Sequence, residues 1–268
     1  MNAQTAKKVI LVSGGSGGIG KCACADLAQR GHIVYELSRH GAAAGAVRHI
    51  TADVTDEVSL RAAVETVMRE QGRIDILINN AGFGISGAAE FTDIAQAQKQ
   101  LDVNFFGCVR LCHTALPYFR KQGYGRIVNV SSVAAMAPIP FQAFYSASKA
   151  AINSFSMALA NEVRRFGITV CAVMPGDIHT GFTAAREKVP SGDEAYGGSI
   201  ARSVARMEAD ERSGMSPVIA GRFIARTALK NSRKPLYTIG FTYKACVLLL
   251  KLLPARAANA LIHKLYVK

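Results

Sequence analysis

Residues 9–20 read VILVSGGSGGIG, a short apolar run followed at once by a turn that contains five glycines. The run is typical of a buried β-strand, and the segment from Cys22 to Gln29 after the turn has helical spacing. Gly14, Gly18 and Gly20 allow the backbone to turn sharply and to direct its N–H groups, at the start of a helix, toward a diphosphate. The spacing GxxxGxG predicts a dinucleotide-binding turn, with a simple tight corner as the alternative.

The alternation of strand and helix continues along the chain. Five further apolar runs are predicted as strands: Ile33 to Leu37, Val47 to Ala52, Ile74 to Ile78, Arg126 to Val130 and Ile168 to Met174. Three longer segments have helical character: Thr55 to Gln71, Ile94 to Gln122 and Tyr145 to Arg165. The strands are almost continuously Val, Ile and Leu, which indicates burial on both faces. We therefore predict an α/β fold, a single-domain Rossmann-type doubly wound parallel sheet with helices on both faces.

Composition excludes several classes of protein. The chain has 268 residues, of which 50% are hydrophobic and 19% charged, enough for one domain whose core needs no metal or disulfide. Its six cysteines form no CxxC motif, so we expect buried free thiols in a reducing compartment and no metal site. The apolar run before the first glycines is too short for a signal peptide. The run from Ala245 to Leu253 falls short of the ~20 residues of a spanning helix. We expect a cytoplasmic protein.

The positive charge is concentrated near the C-terminus. Of 32 Lys and Arg residues, 11 lie between Arg212 and Lys268, where no Asp or Glu occurs. Within one catalytic domain over residues 1–268, we predict a basic amphipathic C-terminal extension at residues 237–268. Such a segment can lie on an anionic membrane surface, pack beside the active site or cross a subunit interface. No nucleic-acid recognition motif accompanies the charge, so we expect no nucleic-acid partner.

Residues 181–216 differ from the rest of the chain. They are polar, contain glycines and show no clear period. A stretch of this length inside a compact domain is typical of a functional lid or a mobile insert. We predict a substrate loop or lid.

The end of the second predicted strand bears on the choice of cofactor. Residues 35–40 read YELSRH. An acid at the strand end binds the ribose hydroxyls of NAD(H), but here Ser38 stands at that position and Arg39 follows it. A guanidinium beside a small hydroxyl suits a 2′-phosphate, which predicts NADP(H) rather than NAD(H). In the alternative interpretation Arg39 is a surface charge and Glu36 binds the ribose, although side-chain alternation places Glu36 less well.

Three side chains predict a proton-transfer site. Tyr145 and Lys149 are four residues apart at the start of a long predicted helix, hence on one face of it. A nearby ammonium favours the phenolate, and lowering a phenol pKa by about three units needs only ~4 kcal/mol. Ser132 follows a predicted buried strand. Taken alone, the YxxxK pair also fits a helix surface and Ser132 also fits a turn, but their occurrence with the glycine turn favours catalysis.

The combined pattern resembles the short-chain dehydrogenase/reductase family, of the single-domain kind with YxxxK. The resemblance covers roughly residues 7–180. Over residues 79–186, which include NNAGFG and TGF, it is closest to the 17β-hydroxysteroid-dehydrogenase-like branch. Two positions depart from the family pattern: Ser13 replaces the usual Thr, and Asp177 follows Pro175 and Gly176.

The resemblance implies roles for individual residues. Tyr145 transfers the proton, Ser132 binds the substrate oxygen, and Lys149 lowers the pKa of Tyr145 and binds the nicotinamide ribose. Asn104 kinks its helix and holds a water that connects Lys149 to solvent. The implied catalytic residues are Asn104, Ser132, Tyr145 and Lys149. The implied cofactor-binding residues are Gly14, Ser16, Gly18, Ile19, Gly20, Ser38, Arg39, Asp53, Val54, Asn80, Ala81, Gly82, Tyr145, Lys149, Pro175, Gly176, Ile178 and Thr180.

The implied reaction is hydride transfer between NADP(H) and a secondary alcohol or ketone. The residues that flank the site are mostly apolar, which favours a steroid- or lipid-like substrate, although the same residues can serve core packing alone. The expected substrate-binding residues are Phe83, Ser132, Met136, Phe141, Tyr145 and Phe182. A reductase of small ketones and a non-catalytic NADP(H)-binding sensor or scaffold remain alternatives. We also expect a homodimer or homotetramer.

Overall fold

The computed structural model describes residues 6–267, with a central sheet and helices packed on it. The strands are β1 (Val9–Ser13), β2 (Ile33–Ser38), β3 (Val47–Thr51), β4 (Ile76–Asn79), β5 (Ile85–Ser86), β6 (Gly125–Val130), β7 (Ile168–Met174), β8 (Glu187–Lys188) and β9 (Leu236–Thr238). The α-helices are α1 (Gly18–Gln29), α2 (Glu57–Gln71), α3 (Ile94–Leu101), α4 (Gly107–Gln122), α5 (Ala143–Glu162), α6 (Ser199–Arg212), α7 (Pro217–Leu229), α8 (Phe241–Leu252) and α9 (Ala255–Tyr266).

The central sheet confirms the predicted topology. Its strand order is β3-β2-β1-β4-β6-β7-β9, and neighbouring strands run parallel. The chain moves outward from β1 to β3 and then returns to the other side of β1 through β4, as in a doubly wound fold. Ser13 pairs with Asn79 at the ends of β1 and β4, so the segments that follow these two strands leave the sheet side by side.

Side-chain alternation along the strands builds two cores, one on each face of the sheet. On one face, Leu11 packs in a cluster with Leu111 of α4 and residues of α2 and α5. On the other face, Ile10 packs in a cluster with Leu27 of α1 and Ile224 of α7. Each of these five side chains is fully buried, and burial of one such side chain contributes about 1.5–3 kcal/mol. The sheet is therefore covered on both faces, as the Val- and Ile-rich strands predict.

Several predicted boundaries were wrong. The helix predicted from Ile94 to Gln122 is divided by a π-helical turn at Asp102–Phe106, in which the Gly107 N–H bonds the Asp102 carbonyl. Such a turn occurs as a single bulge inside an otherwise regular helix, and the prediction treated the segment as one continuous helix. Helix α1 begins at Gly18, inside the glycine turn, rather than at Cys22. The segment 181–216 contains a regular helix, α6, and the short strand β8. Its role as a lid stays a prediction.

The C-terminal extension forms the two helices α8 and α9, with a break at Pro254. None of the helices within residues 6–267 is both long and apolar enough to cross a membrane. All six cysteines are free, as predicted, and four of them are buried. In the described part of the chain, no group of three or more His, Cys, Asp and Glu residues could hold a metal ion.

Candidate active site

The glycine turn has a backbone conformation that depends on glycine. Gly14 and Gly18 have positive φ angles of 65° and 50°, which glycine adopts at no steric cost. A Cβ atom at Gly20 would lie 2.3 Å from the carbonyl oxygen of Gly14, so a larger residue would push α1 away from the turn. Gly20 does not line the cleft beside the turn. Its part in cofactor binding is therefore indirect, through the shape of the turn.

Hydrogen bonds brace the turn against the end of β4. The Ser13 hydroxyl oxygen accepts from the backbone N–H groups of Asn80 and Ala81, at 3.1 and 3.2 Å. The Asn80 side chain in turn donates to the carbonyl oxygen of Gly14, at 2.9 Å. Serine at position 13 supplies the hydroxyl that this bridge needs, so the departure from threonine leaves the bracing intact.

A cleft of about 1020 Å³ extends from the glycine turn across the carboxyl ends of the first strands. A Cβ atom at Gly17 would meet no other atom within 4 Å, and one at Gly18 would meet only Thr180, at 3.7 Å. The space beside these glycines fits a diphosphate, whose charge the N-terminus of α1 can stabilise. The predicted cofactor residues on this cleft are Gly14, Ser16, Ser38, Arg39, Asp53, Val54, Ala81 and Gly82.

A second cavity of about 520 Å³ shares its wall near Gly14 and Gly82 with the first, so the two spaces adjoin. This cavity contains the catalytic end of the site. The predicted residues that line it include Gly18, Ile19, Asn80, Phe83, Ser132, Tyr145, Lys149, Pro175, Gly176, Ile178, Thr180 and Phe182. The fold thus brings together motifs that lie up to about 160 residues apart in the chain.

At the far end of the larger cleft, the side chains of β2 differ in accessibility. Arg39 is exposed, lines the cleft and forms no ion pair with any residue in 6–267. Ser38 also lines the cleft. Glu36 is only 2% exposed and bonds His49 and the Ser38 hydroxyl. Because Glu36 does not line the cleft, it is not placed to bind the hydroxyls of a ribose.

Asp53 lies on the cleft wall directly after β3. Burial raises the pKa of Asp53, but hydrogen bonds from the backbone and hydroxyl of Thr55, with the charges of Arg39 and Arg110, lower it more. Both Thr55 bonds are short, at 2.9 and 2.8 Å. The net shift is downward, so Asp53 is an ionised hydrogen-bond acceptor at neutral pH, as a contact with an adenine amino group requires.

Three of the four predicted catalytic residues, Ser132, Tyr145 and Lys149, meet in the smaller cavity. Tyr145 lies in the first turn of α5, and Lys149 follows one turn later, with its Nζ 5.7 Å from the centre of the Tyr145 ring. Lys149 is buried and donates a hydrogen bond of 3.0 Å to the carbonyl oxygen of Val130. Ser132 caps a short turn after β6, and its hydroxyl accepts from the Ala134 N–H. Both hydroxyls and the ammonium therefore border one space.

Burial controls the proton affinity of this group. It raises the pKa of Tyr145 to about 12, against the opposing effect of the Ser132 hydroxyl. It lowers the pKa of Lys149 to about 8. The net shift at Tyr145 is therefore upward, because the loss of hydration dominates, and the lowering of this pKa by Lys149 stays a prediction. At neutral pH Tyr145 is a protonated phenol and a proton donor.

Asn104 lies in the π-helical turn and is almost completely buried. Its side-chain oxygen accepts from the Phe83 N–H, and its nitrogen donates to the Phe83 carbonyl, both at 2.9 Å. The same nitrogen lies 3.1 Å from the Ser148 hydroxyl. Asn104 thus ties the segment after β4 to α5 without lining either cavity. The expected kink coincides with the π-helical turn, and the water that it was expected to hold stays a prediction.

Two of the predicted substrate residues do not line the cavity. Met136 packs instead against a small cluster that contains Met174 and Val247. The Phe141 ring packs edge-on against Tyr196, with centroids 5.6 Å apart, and its backbone has a φ of 61°. Proximity along the chain to Ser132 and Tyr145 suggested both residues, but the direction of their side chains takes them elsewhere. Phe182 does approach Tyr145, with ring centroids 5.8 Å apart.

The C-terminal helices supply a wall of the cavity that the sequence did not assign. From these helices and from the segments before them, the additional lining residues include Gln142, Asp177, Glu211, Tyr243, Cys246, Leu250, Ile262 and Tyr266. The spacing of three, four and seven residues between Tyr243, Cys246 and Leu250 is the signal that could have identified them, since it places them on one helix face. Of the alternatives for this segment, packing beside the active site is therefore seen in the structure.

Comparison with known proteins agrees with this geometry. Residues 8–190 match a family model described as short chain dehydrogenase. The 3-ketodihydrosphingosine reductase of Bacteroides thetaiotaomicron is 44% identical over 228 residues, which are 84% of this chain and 85% of that protein. The NADPH-dependent 1-acyldihydroxyacetone phosphate reductase of Schizosaccharomyces pombe is 35% identical over 65% of this chain and 61% of its own. The crystal structure of a short-chain dehydrogenase from Streptomyces avermitilis has a TM-score of 0.82 at 28% identity, and the match covers 97% of both chains.

The buried ammonium of Lys149 leads to a stability prediction. The folded chain holds this proton with a pKa of about 8 and the unfolded chain with a pKa near 10.5. Between these values the unfolded chain binds more protons, so this group's contribution to the free energy of unfolding rises with pH. Below pH 8 the full cost of burying the charge is present. We expect Lys149→Met to be about 1–3 kcal/mol more stable than wild type at pH 7, and this gain to shrink toward zero near pH 10.

Denaturant unfolding at pH 7 and pH 10 measures both differences. Lys121→Met, at an exposed position at the end of α4, is the matched control and should change stability little at either pH. An equal gain for Lys149→Met at the two pH values would contradict the assignment.

Proposed function

The chain belongs to the short-chain dehydrogenase/reductase family, and from this premise we propose that it is an NADPH-dependent reductase of a long-chain amino ketone related to 3-ketodihydrosphingosine. The observation that carries the proposal is the cavity in which Ser132, Tyr145 and Lys149 meet, because it continues into an apolar space bordered by α8 and α9. The 44% identity with a 3-ketodihydrosphingosine reductase supports this substrate class. A steroid or a small ketone is the alternative substrate; a small ketone would leave much of the apolar wall uncovered, and the 44% identical relative is not named for a steroid.

At neutral pH Tyr145 is in the protonation state that reduction of a ketone needs. A nicotinamide bound in the cleft supplies the hydride to the carbonyl carbon. Ser132 and Tyr145 donate hydrogen bonds to the carbonyl oxygen, where negative charge develops. Tyr145, a protonated phenol at neutral pH, transfers its proton to that oxygen and completes the alcohol. The positive charge of Lys149, 5.7 Å from the ring, then stabilises the phenolate that remains.

The preference for NADPH rests on the end of β2. Arg39 is exposed on the cleft and free of ion pairs within residues 6–267, and Ser38 beside it leaves room for a phosphate. Glu36, the acid that a ribose would need, is bonded to His49 inside the protein. A guanidinium binds a 2′-phosphate through charge-assisted hydrogen bonds, which a bare ribose does not offer. A relative whose name includes NADPH dependence, 35% identical to this chain, agrees with this choice.

Helix α8 has a second apolar face, which points away from the active site. Tyr243, Cys246 and Leu250 line the cavity on one side of the helix. On the other side, Phe241, Leu248 and Leu252 are 87%, 59% and 75% exposed. Together with Ala245 they form a stripe at positions i, i+4, i+7 and i+11, which we call the outer stripe. A contiguous apolar surface of this kind marks an interaction site rather than an ordinary solvent face.

We propose that the outer stripe docks on an anionic lipid surface. Lys244 and Lys251 are exposed and flank the stripe, and no acid occurs after Glu211 to oppose them. Basic residues beside an apolar helix face provide the two attractions that a monotopic helix needs. Leu261 and Leu265 of α9 both line the cavity and are partly exposed, so the cavity opens on the same pair of helices. A lipid ketone could thus pass from the surface into the site.

Replacing the proton donor tests the mechanism. We expect Tyr145→Phe to lower kcat for reduction of 3-ketodihydrosphingosine by about 10²–10⁴-fold, since general acid catalysis is lost. The affinity for NADPH should change little, because the ring remains. Stopped assays of NADPH oxidation and titration of NADPH fluorescence measure the two quantities, with Tyr124→Phe, an exposed tyrosine outside the site, as control. Turnover by Tyr145→Phe at the wild-type rate would refute the proposed role.

Reversing the charge at the end of β2 tests the cofactor. We expect Arg39→Asp to raise the KM for NADPH by roughly 10- to 100-fold, since a charge-assisted contact with phosphate is replaced by repulsion. The KM for NADH should fall or stay constant. Arg164→Asp, at an exposed position away from both cavities, controls for the change in net charge. An unchanged ratio of the two KM values in Arg39→Asp would exclude a 2′-phosphate contact.

Vesicle flotation tests the lipid surface. We expect the full chain to float with vesicles of phosphatidylcholine and phosphatidylglycerol, and much less with phosphatidylcholine alone. The double variant Phe241→Ser, Leu252→Ser should remain at the bottom of the gradient. A matched control replaces two exposed apolar residues elsewhere, Val58→Ser and Ile94→Ser, and should float like wild type.

Size-exclusion chromatography of the same proteins tests the alternative, in which the outer stripe binds a second copy of the chain. If the outer stripe pairs two copies of the chain instead, the wild type will not float. The Phe241→Ser, Leu252→Ser variant will then have a smaller mass than the expected homodimer or homotetramer, and the lipid proposal is excluded.

A further inference from the structure

Asp177 is one of the two residues at which the sequence departs from the family pattern, and the structure holds its side chain in a defined place. It follows β7 through Pro175 and Gly176 and lines the catalytic cavity. Its Oδ2 accepts from the Tyr243 hydroxyl at 2.7 Å, and its backbone N–H donates to the same hydroxyl oxygen at 3.0 Å. The Tyr243 ring lies so close to Gly176 that a Cβ atom there would be 2.2 Å from the ring. The carboxylate is thus fixed by two bonds and by close packing.

The charge of Asp177 has no counterion among residues 6–267. Within residues 6–267, no Lys or Arg nitrogen lies within 4 Å of its carboxylate oxygens. Glu211, the other acid on the cavity wall, differs in this respect, because it forms an ion pair with Arg186 and accepts from the Thr183 hydroxyl at 2.7 Å. Asp177 is half-buried, and its burial raises its pKa. Keeping a half-buried carboxylate charged without a counterion costs free energy, and a bound ligand cation would offset that cost.

The negative charge of Asp177 also reaches the reacting group. Its charge and that of Glu211 raise the pKa of Tyr145, and both Asp177 and Tyr145 line the same cavity. Beyond this acid, the lining passes to apolar side chains, among them Leu250 of α8 and Ile262 of α9. The same cavity is therefore lined by a proton donor, an unpaired negative charge and apolar side chains of α8 and α9.

We propose that Asp177 binds the ammonium group of the substrate, held in position by Tyr243. The inference rests on the proposed function, because 3-ketodihydrosphingosine carries its amine on the carbon bonded to the carbonyl carbon. An ammonium at that position lies beside the oxygen that Tyr145 protonates, and the alkyl chain then follows the apolar wall. The site thereby selects a ketone with a neighbouring amine over a simple alkyl ketone, which leaves the carboxylate unpaired.

Two long-chain ketones test this selection in the full-length protein with NADPH. One is 3-ketodihydrosphingosine, and the other is its analogue without the amine, 1-hydroxyoctadecan-3-one. The measured quantity is the ratio of kcat/KM for the amino ketone to kcat/KM for the analogue. We expect Asp177→Asn to lower this ratio roughly 10- to 100-fold, the contribution of a hydrogen bond to a charged group. Asp177→Glu, which keeps the charge, should retain part of the preference.

A matched variant separates a local contact from a general change of charge. Asp210→Asn removes one negative charge near Asp177 from a residue that does not line the cavity, and it should leave the ratio as in wild type. If wild type reduces both ketones and Asp177→Asn leaves the ratio unchanged, the ammonium site is refuted while the proposed function stands. If wild type reduces neither ketone, the proposed function fails, and the ammonium site with it.

Discussion

The parallel direction of the strands is the constraint on which the site depends. Because β1, β4, β6 and β7 all run the same way, the segments that follow them leave the sheet at one edge. These segments carry the glycine turn, Asn80, Ser132 and Asp177. Without that shared direction, the four would be divided between opposite ends of the sheet. Ser13 adds the local bond that keeps the first two segments in contact, through the N–H groups after β4.

Burial then sets the proton affinities of Tyr145 and Lys149 in this site. A tyrosine and a lysine four residues apart are common on a helix surface, but here the cavity removes water from both side chains. Loss of hydration raises the pKa of Tyr145 and lowers the pKa of Lys149. A protonated phenol close to a buried ammonium is the arrangement that the proposed reduction needs. The arrangement costs folding free energy, as expected where an active site is built from polar groups that a core would exclude.

Much of the fold and part of the candidate site could be predicted from the sequence, for reasons that differ between parts of the chain. The sheet and the glycine turn were predictable because strand alternation and glycine spacing are local, and so is the four-residue spacing of Tyr145 and Lys149. The net rise of the Tyr145 pKa was not predictable, because it depends on how deeply the fold buries the phenol. Met136 and Phe141 were assigned by proximity, which says nothing of side-chain direction. The wall from Tyr243, Leu250 and Ile262 comes from helices whose place is set only by tertiary packing.

The division of the cavity between two parts of the chain has an evolutionary consequence. Proton transfer is located on α5 and the loops of the sheet, whereas the apolar wall belongs to α8 and α9, about 100 residues later. Substitutions along Leu250, Leu261 or Ile262 can alter the length or shape of the chain that fits, and Ser132 and Tyr145 need not move. Under the proposed function, selection can therefore adapt the apolar wall to other substrates while the chemical step is inherited unchanged.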